Sequence, residues 1–160
     1  MVNKDFMKVI INTPKLLIIT IGIPASGKST FCERLLHDFV RINLDTLKTR
    51  NREMTAFNNA IDKGCSIVVD NTNVMKSERK VYIDIANKNG YSIYGLFFQS
   101  RVKDCIARNE QREGKARISP QAIAAKSNQL ELPELAEGFE KLFYVEMNDD
   151  SFSISDWNNN

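Results

Sequence analysis

The chain has 160 residues, enough for one domain that buries roughly two-thirds of its unfolded surface. Apolar residues make up 42%, charged residues 26%, and the net charge is +2, the balance of an ordinary globular protein. Cys32, Cys65 and Cys105 are too few and too dispersed for a disulfide framework or a cysteine-rich zinc site, and they suit a reducing, cytoplasmic compartment. No apolar run is long enough to span a bilayer. The charge is uneven: residues 1–119 hold 20 Lys+Arg against 12 Asp+Glu, and residues 120–160 hold 2 against 8. A basic body suits a polyanionic ligand, although most such charges simply solvate a surface.

In chain order, "KLLIITIG" reads as a first strand, apolar on both faces as a central parallel strand is. Its basic flank resembles a signal peptide, but it runs straight into a glycine-containing turn, which argues for a buried strand. Residues 28 to about 39 read as a helix, "FVRINL" as a second strand, and "MTAFNNAIDKG" as a helix stopped by Gly64. "CSIVVD" is a third strand; Ser77 can cap the helix "ERKVYIDIANKNG", which stops at Gly90. "YSIYGLFF" is a fourth strand, and Ser100 can cap "RVKDCIARNEQR". The polar, basic stretch "REGKARIS" reads as a mobile lid, after which Ser119-Pro120 opens another helix. "KLFYVEM" is a fifth strand. Alternating strands and helices predict an α/β domain over residues 1–160: a five-stranded, mostly parallel sheet with right-handed crossovers. The core spans about 15–147. Residues 1–14 and 148–160 read as terminal extensions, and the tail "DWNNN" as frayed.

Between the first strand and the first helix lies Gly22-Ile23-Pro24-Ala25-Ser26-Gly27-Lys28-Ser29, followed by Thr30. It fits G-x-x-x-x-G-K-[ST], and the strand–turn–helix setting is the one this motif requires. Glycines let successive backbone N–H groups converge on phosphate oxygens, while the helix directs its positive end at them. Lys28 can reach the outer phosphates and the Ser29 hydroxyl can ligate Mg²⁺, so the turn predicts a nucleotide-phosphate site. The chain carries no N-K-x-D run of the guanine-reading type, which favours a small phosphotransferase over a switch GTPase.

In open α/β sheets, ligands bind beyond the carboxyl ends of the strands, where Asp45 and Asp70 fall. Asp45 suits the base that takes a proton from an acceptor hydroxyl, or else it caps the segment "TLKTR". Asp70 suits a magnesium-orienting acid, or else a turn carboxylate within "DNTN", where Asn71 also adjoins the acceptor side. Lys48 could pair with Asp45 or touch an acceptor phosphate. Of Arg108, Arg112, Lys115 and Arg117, Arg112 at the helix–loop junction is the candidate for closing over the transferring phosphate. His37, the only histidine, reads as a surface or packing residue.

With "GIPASGKSTF", "NLDTL", "VVDNTN", "RNEQRE" and the late "LPELAEGFEKL" in that order, the chain resembles the 5′-hydroxyl polynucleotide kinase domain family. The kinase half of the polynucleotide kinase–phosphatases of DNA repair is the nearer likeness, over about residues 16–147. The resemblance implies that Gly22, Pro24, Ala25, Ser26, Gly27, Lys28, Ser29 and Thr30 hold ATP phosphates, with Ser29 and Asp70 on Mg²⁺. It further implies Asp45 as general base, Arg112 on the transferring phosphate, and Lys48 and Asn71 at the acceptor. The family's N-R-D reads Asn43-Leu44-Asp45 here, and its second cradle glycine is Ala25. No D-x-D-G-T run is present, so 3′-phosphate removal is not expected. The expected reaction is therefore ATP-dependent phosphorylation of a nucleic-acid 5′-OH. A metabolite kinase acting on a nucleoside or sugar, and a binding module that hydrolyses ATP slowly, are the competing expectations.

Overall fold

The computed structural model describes residues 4–149 and 151–157. Helix α1 is Lys4–Ile11, strand β1 Leu16–Ile21, α2 Lys28–Leu35, β2 Val40–Ile42, α3 Leu44–Leu47 and α4 Arg50–Asp62. Strand β3 is Ile67–Val69, followed by α5 Lys76–Lys88, β4 Ser92–Phe98, α6 Val102–Asn109 and α7 Pro120–Gln129. Strands β5 Lys141–Asn148 and β6 Ser151–Asp156 complete the fold. The sheet has six strands in the order β2-β3-β1-β4-β5-β6, parallel except for the β5–β6 hairpin.

All six residues of β1 are buried, as its unbroken apolar run requires of a strand covered on both faces. The two periods of the strand serve two cores. Leu17, Ile19 and Ile21 pack with Phe57 and Ile61 of α4 and Tyr82, Ile83 and Ala86 of α5. Leu16 and Ile18 pack with Phe6 and Ile10 of α1 and Phe31, Cys32 and Leu36 of the α2 segment. A smaller cluster of Ile23, Ala25, Cys105 and Ile123 seats α6 and α7 under the phosphate turn. Among the described residues, no helix is long and apolar enough to cross a membrane.

The five expected strands are present, and a sixth joins them. "SFSISD" alternates apolar and polar residues; Phe152 and Ile154 face the core, and the strand pairs antiparallel with β5. Trp157 is not frayed: its ring lies 4.9 Å from Phe97 and 5.4 Å from Tyr144. Asn158–Asn160 lie outside the described residues. The stretch read as an amino-terminal extension contains α1, whose Phe6 and Ile10, one helical turn apart, are buried against the sheet.

Helix α2 ends at Leu35 rather than near 39, because Leu36 turns into the core and Phe39 closes a turn on its carbonyl. Helix α5 begins with Met75 as its N-cap, so Ser77 is not the cap; the Glu78 carboxylate accepts the Met75 N–H at 3.1 Å. Ser100 does not cap α6 either. Its hydroxyl accepts the Ile23 N–H at 3.1 Å and donates to the Phe98 carbonyl, pinning the start of the phosphate turn to β4.

The late "LAEGF" segment docks through a buried ion pair. Arg79 of α5 is fully buried; its Nε and Nη2 donate to Glu137 at 2.8 and 3.0 Å, and its other N–H groups hold the carbonyls of Asn73, Val74 and Glu131. Gly138 follows at φ +119, with Ile83 so close that a Cβ would come within 2.7 Å of it. One buried arginine thus ties the loop after β3 to a segment almost sixty residues later.

Candidate active site

The phosphate turn joins β1 to α2. Gly22 is buried and donates to the Thr72 carbonyl at 2.9 Å, while Pro24 is half-buried. Ala25 adopts φ 66, the left-handed region where the resembling family has glycine; its carbonyl is held by Arg108 Nη1 at 3.2 Å. Arg108 reaches Met147 as well, so this residue of the lid's approach helix clamps the cradle. Gly27 has φ +101, and a Cβ there would come within 2.8 Å of Met147 Sδ, so backbone conformation and space both call for glycine. Lys28 opens α2, with Ser29 and Thr30 in the first turn. The ammonium of Lys28 turns back on its own loop, donating to Ile23 O at 2.8 Å and Ser26 Oγ at 3.2 Å. Burial lowers its pKa to about 8 against the opposing pull of Asp70.

Asp70 follows β3 and is 1% exposed. Its Oδ2 accepts the Ser29 hydroxyl at 3.1 Å, so the two residues expected at magnesium do meet. The donor set fits that ion: one hydroxyl and one carboxylate are the sparse ligands Mg²⁺ takes beside nucleotide phosphates and water. Among the described residues, no group of three His, Cys, Asp or Glu side chains could hold a metal ion by itself. Arg41 was not singled out in the sequence; its Nε and Nη2 lie 2.8 and 2.6 Å from Asp70 Oδ2.

Asp45 is not a cap. Asn43 caps α3, its Oδ1 accepting the Thr46 N–H at 3.0 Å, and Asp45 stands exposed in the helix's first turn. Asp45 and Lys48 form no ion pair; Lys48 closes α3 with φ 75 and is exposed. Asn71 is engaged at both ends of its amide. Its Oδ1 accepts the Leu44 N–H at 2.9 Å, and its Nδ2 donates to Glu53 Oε2 at 2.9 Å. Glu53, also missed in the sequence, is fully buried and takes further hydrogen bonds from Arg50 and the Tyr82 hydroxyl. Burial, then Glu53, push the Tyr82 phenol above its ordinary range, which keeps it a donor.

The lid candidate is pinned at its base. Asn109, fully buried at the end of α6, donates to the Ile118 carbonyl at 2.6 Å and accepts the Ile118 N–H at 3.0 Å. Glu110 and Arg117 form an ion pair across the loop, and Gly114–Ala116 makes a 3₁₀ turn. Arg112 is half-buried, donates to Ala116 O at 3.4 Å, and is near enough to Lys28 for its charge to oppose that ammonium. Lys115 and Arg117 are exposed. His37 is exposed, 3.7 Å from Asp38.

This geometry has relatives. The model of a family described as an AAA domain (AAA_33) matches residues 17–133. A bifunctional polynucleotide phosphatase/kinase of Schizosaccharomyces pombe is 31% identical over 128 residues, 77% of this chain and 31% of that protein. A similarly named protein of Acanthamoeba polyphaga mimivirus is 39% identical over 79 residues, 48% of this chain and 19% of that one. The chain thus spans less than a third of either relative. Among solved structures, Kti12 of Chaetomium thermophilum in complex with ADP-AlF3 superposes with a TM-score of 0.64 at 18% identity, covering 84% of this chain and 90% of that one. A gluconokinase of Sinorhizobium meliloti gives 0.58 at 17% identity, covering 84% of each chain. With that model matching residues 17–133, the phosphate turn included, the chain belongs to this AAA domain family and has the fold of the P-loop kinases.

Proposed function

We propose that the chain transfers the γ-phosphate of ATP to the 5′-hydroxyl end of a polynucleotide. The observation that carries this reading is Asp45: an exposed carboxylate free of capping and ion pairing, beyond the carboxyl end of β2. The two relatives named as polynucleotide phosphatase/kinases support the acceptor class. Lys48 and Arg52, exposed on the same α3–α4 segment, offer the positive charge a phosphodiester acceptor needs.

In this mechanism the turn from Gly22 to Thr30 binds the nucleotide phosphates through backbone N–H groups and the amino end of α2. Lys28 exchanges Ile23 O and Ser26 Oγ for the outer phosphate oxygens. Ser29 and Asp70 would hold magnesium, which neutralises charge on the phosphates when bound. Asp45 accepts the proton as the acceptor oxygen attacks in line, with no phosphoenzyme. Arg112 leaves Ala116 and stabilises charge on the transferring group. Lys48 contacts the acceptor's phosphate. Asn71, engaged on both sides, acts by fixing the Asp45 turn.

Leu44, where the resembling family has arginine, favours a second reading, a kinase of a nucleoside or sugar. Incubation with radiolabelled ATP and either 5′-OH oligonucleotides or a metabolite panel separates the two. Label in the oligonucleotide that declines with added salt is expected; label confined to metabolites overturns the polynucleotide reading.

A further inference from the structure

Three side chains converge on one oxygen of Asp70. Its Oδ2 accepts from Ser29 Oγ at 3.1 Å, Asn43 Nδ2 at 3.4 Å and Arg41 Nε at 2.8 Å, and Arg41 Nη2 completes the ion pair 2.6 Å away. Arg41 differs from the other two in kind. It comes from the edge strand β2, a third of its side chain is exposed, and its Nη1 already reaches Glu33 Oε1 of α2 at 3.4 Å.

A buried carboxylate without counter-charge is costly, and the guanidinium supplies that charge. The same oxygen adjoins the hydroxyl expected on magnesium. The Ser29 hydroxyl meets Asp70 at the same Oδ2 that Arg41 holds, so a metal seated between Ser29 and that oxygen competes with the guanidinium for it. Glu33, 65% exposed and in line with the outer end of the guanidinium, is the group to which Arg41 can withdraw without losing a carboxylate partner.

We propose that Arg41 is the resident counter-ion of Asp70, exchanged for the metal that arrives with the nucleotide, and that Glu33 retains the guanidinium after the exchange. The proposal rests on the reading that Ser29 and Asp70 hold magnesium. It makes divalent-ion affinity a competition within the protein: Arg41 weakens metal binding, and Glu33 recovers part of the loss.

Mn²⁺ titrated into an equimolar complex of the full chain with ADP tests this, with the free ion followed by electron paramagnetic resonance. Arg41→Met is expected to bind Mn²⁺ about fivefold more tightly than the wild type, the equilibrium worth of one partly exposed ion pair. Glu33→Gln, a surface change that leaves the core untouched, is expected to bind it more weakly. Equal or weaker binding by Arg41→Met, or unchanged binding by Glu33→Gln, overturns the exchange. Asp70→Asn separates the two levels: if it binds Mn²⁺ as the wild type does, the metal assignment itself falls. If Asp70→Asn loses the ion and Arg41→Met gains nothing, only the role of Arg41 falls.

Discussion

Glu53 holds Asn71 in one orientation: a fully buried carboxylate accepts its Nδ2 at 2.9 Å, which leaves Oδ1 to accept the N–H of Leu44, next to Asp45. The exposed carboxylate of Asp45 thus stands on a turn whose backbone is fixed from inside the fold. Glu53→Gln removes the charge but keeps the volume. It should lower turnover up to about 10²-fold through misplacement of Asp45, with the Michaelis constant for ATP little changed. A loss of thermal stability with turnover intact would confine Glu53 to packing.

Asp45→Asn tests the proposed base. Nucleotide binding should persist while turnover falls by roughly 10²–10⁴-fold, the usual worth of a positioned base. Because Asn43, not Asp45, caps α3, the melting temperature should hardly move. Unchanged turnover would reduce Asp45 to an exposed helix residue.

Lys28 links nucleotide affinity to pH. Its ammonium titrates near 8 in the free protein, against 10.5 for an ordinary lysine, and polyphosphate favours the charged form. ATP affinity should therefore be flat below pH 8 and weaken toward tenfold per unit above it, with a proton taken up on binding. The same shift acts on folding with the opposite sense. The unfolded chain binds the extra proton between pH 8 and 10.5, so this residue's burial cost is fully present below pH 8 and relieved as pH rises. Isothermal titration at several pH values checks the binding slope and the proton uptake, denaturant unfolding over the same range checks the folding effect, and Lys28→Met should abolish both slopes together with phosphoryl transfer.

The Arg79–Glu137 pair should matter for stability rather than for chemistry. Glu137→Gln leaves a fully buried guanidinium with a weaker side-chain partner, and Glu137→Ala leaves it with backbone carbonyls alone and no counter-charge. Breaking a buried pair costs about 3–5 kcal/mol, so Glu137→Ala should melt much earlier in calorimetry than Glu137→Gln. Equal melting of both variants and the wild type would show that the carbonyls of Asn73, Val74 and Glu131 satisfy Arg79 unaided.

The apolar framework was legible in the sequence because strand and helix periods report burial directly. Leu16–Ile21 and Ile67–Val69 read as central strands, and the G-x-x-x-x-G-K-S run between strand and helix identified its own turn. Phe152 and Ile154, alternating in "SFSISD", and Phe6 and Ile10, four apart, carried the same kind of signal, masked by polar neighbours at either end. Lys28, Asp45 and Asp70 were legible from their places after strands, but the charges that brace the site and the fold were not. Arg41, Glu53 and Arg79 look like solvated charges in one dimension; each is fixed by a partner 29, 18 or 58 residues away. Ser100 and Ser77 had the composition of helix caps, but a hydroxyl within reach of an unpaired backbone N–H from another element serves that group instead, as Ser100 does for Ile23.

The β5–β6 hairpin presses Met147 against Gly27, and the ring of Phe152 lies within reach of a Cβ at the same glycine. The last strand is therefore mechanically continuous with the loop that grips nucleotide. Order imposed on one should be felt by the other. Backbone amides of Ser151–Asp156 should exchange with deuterium more slowly when ATP is bound.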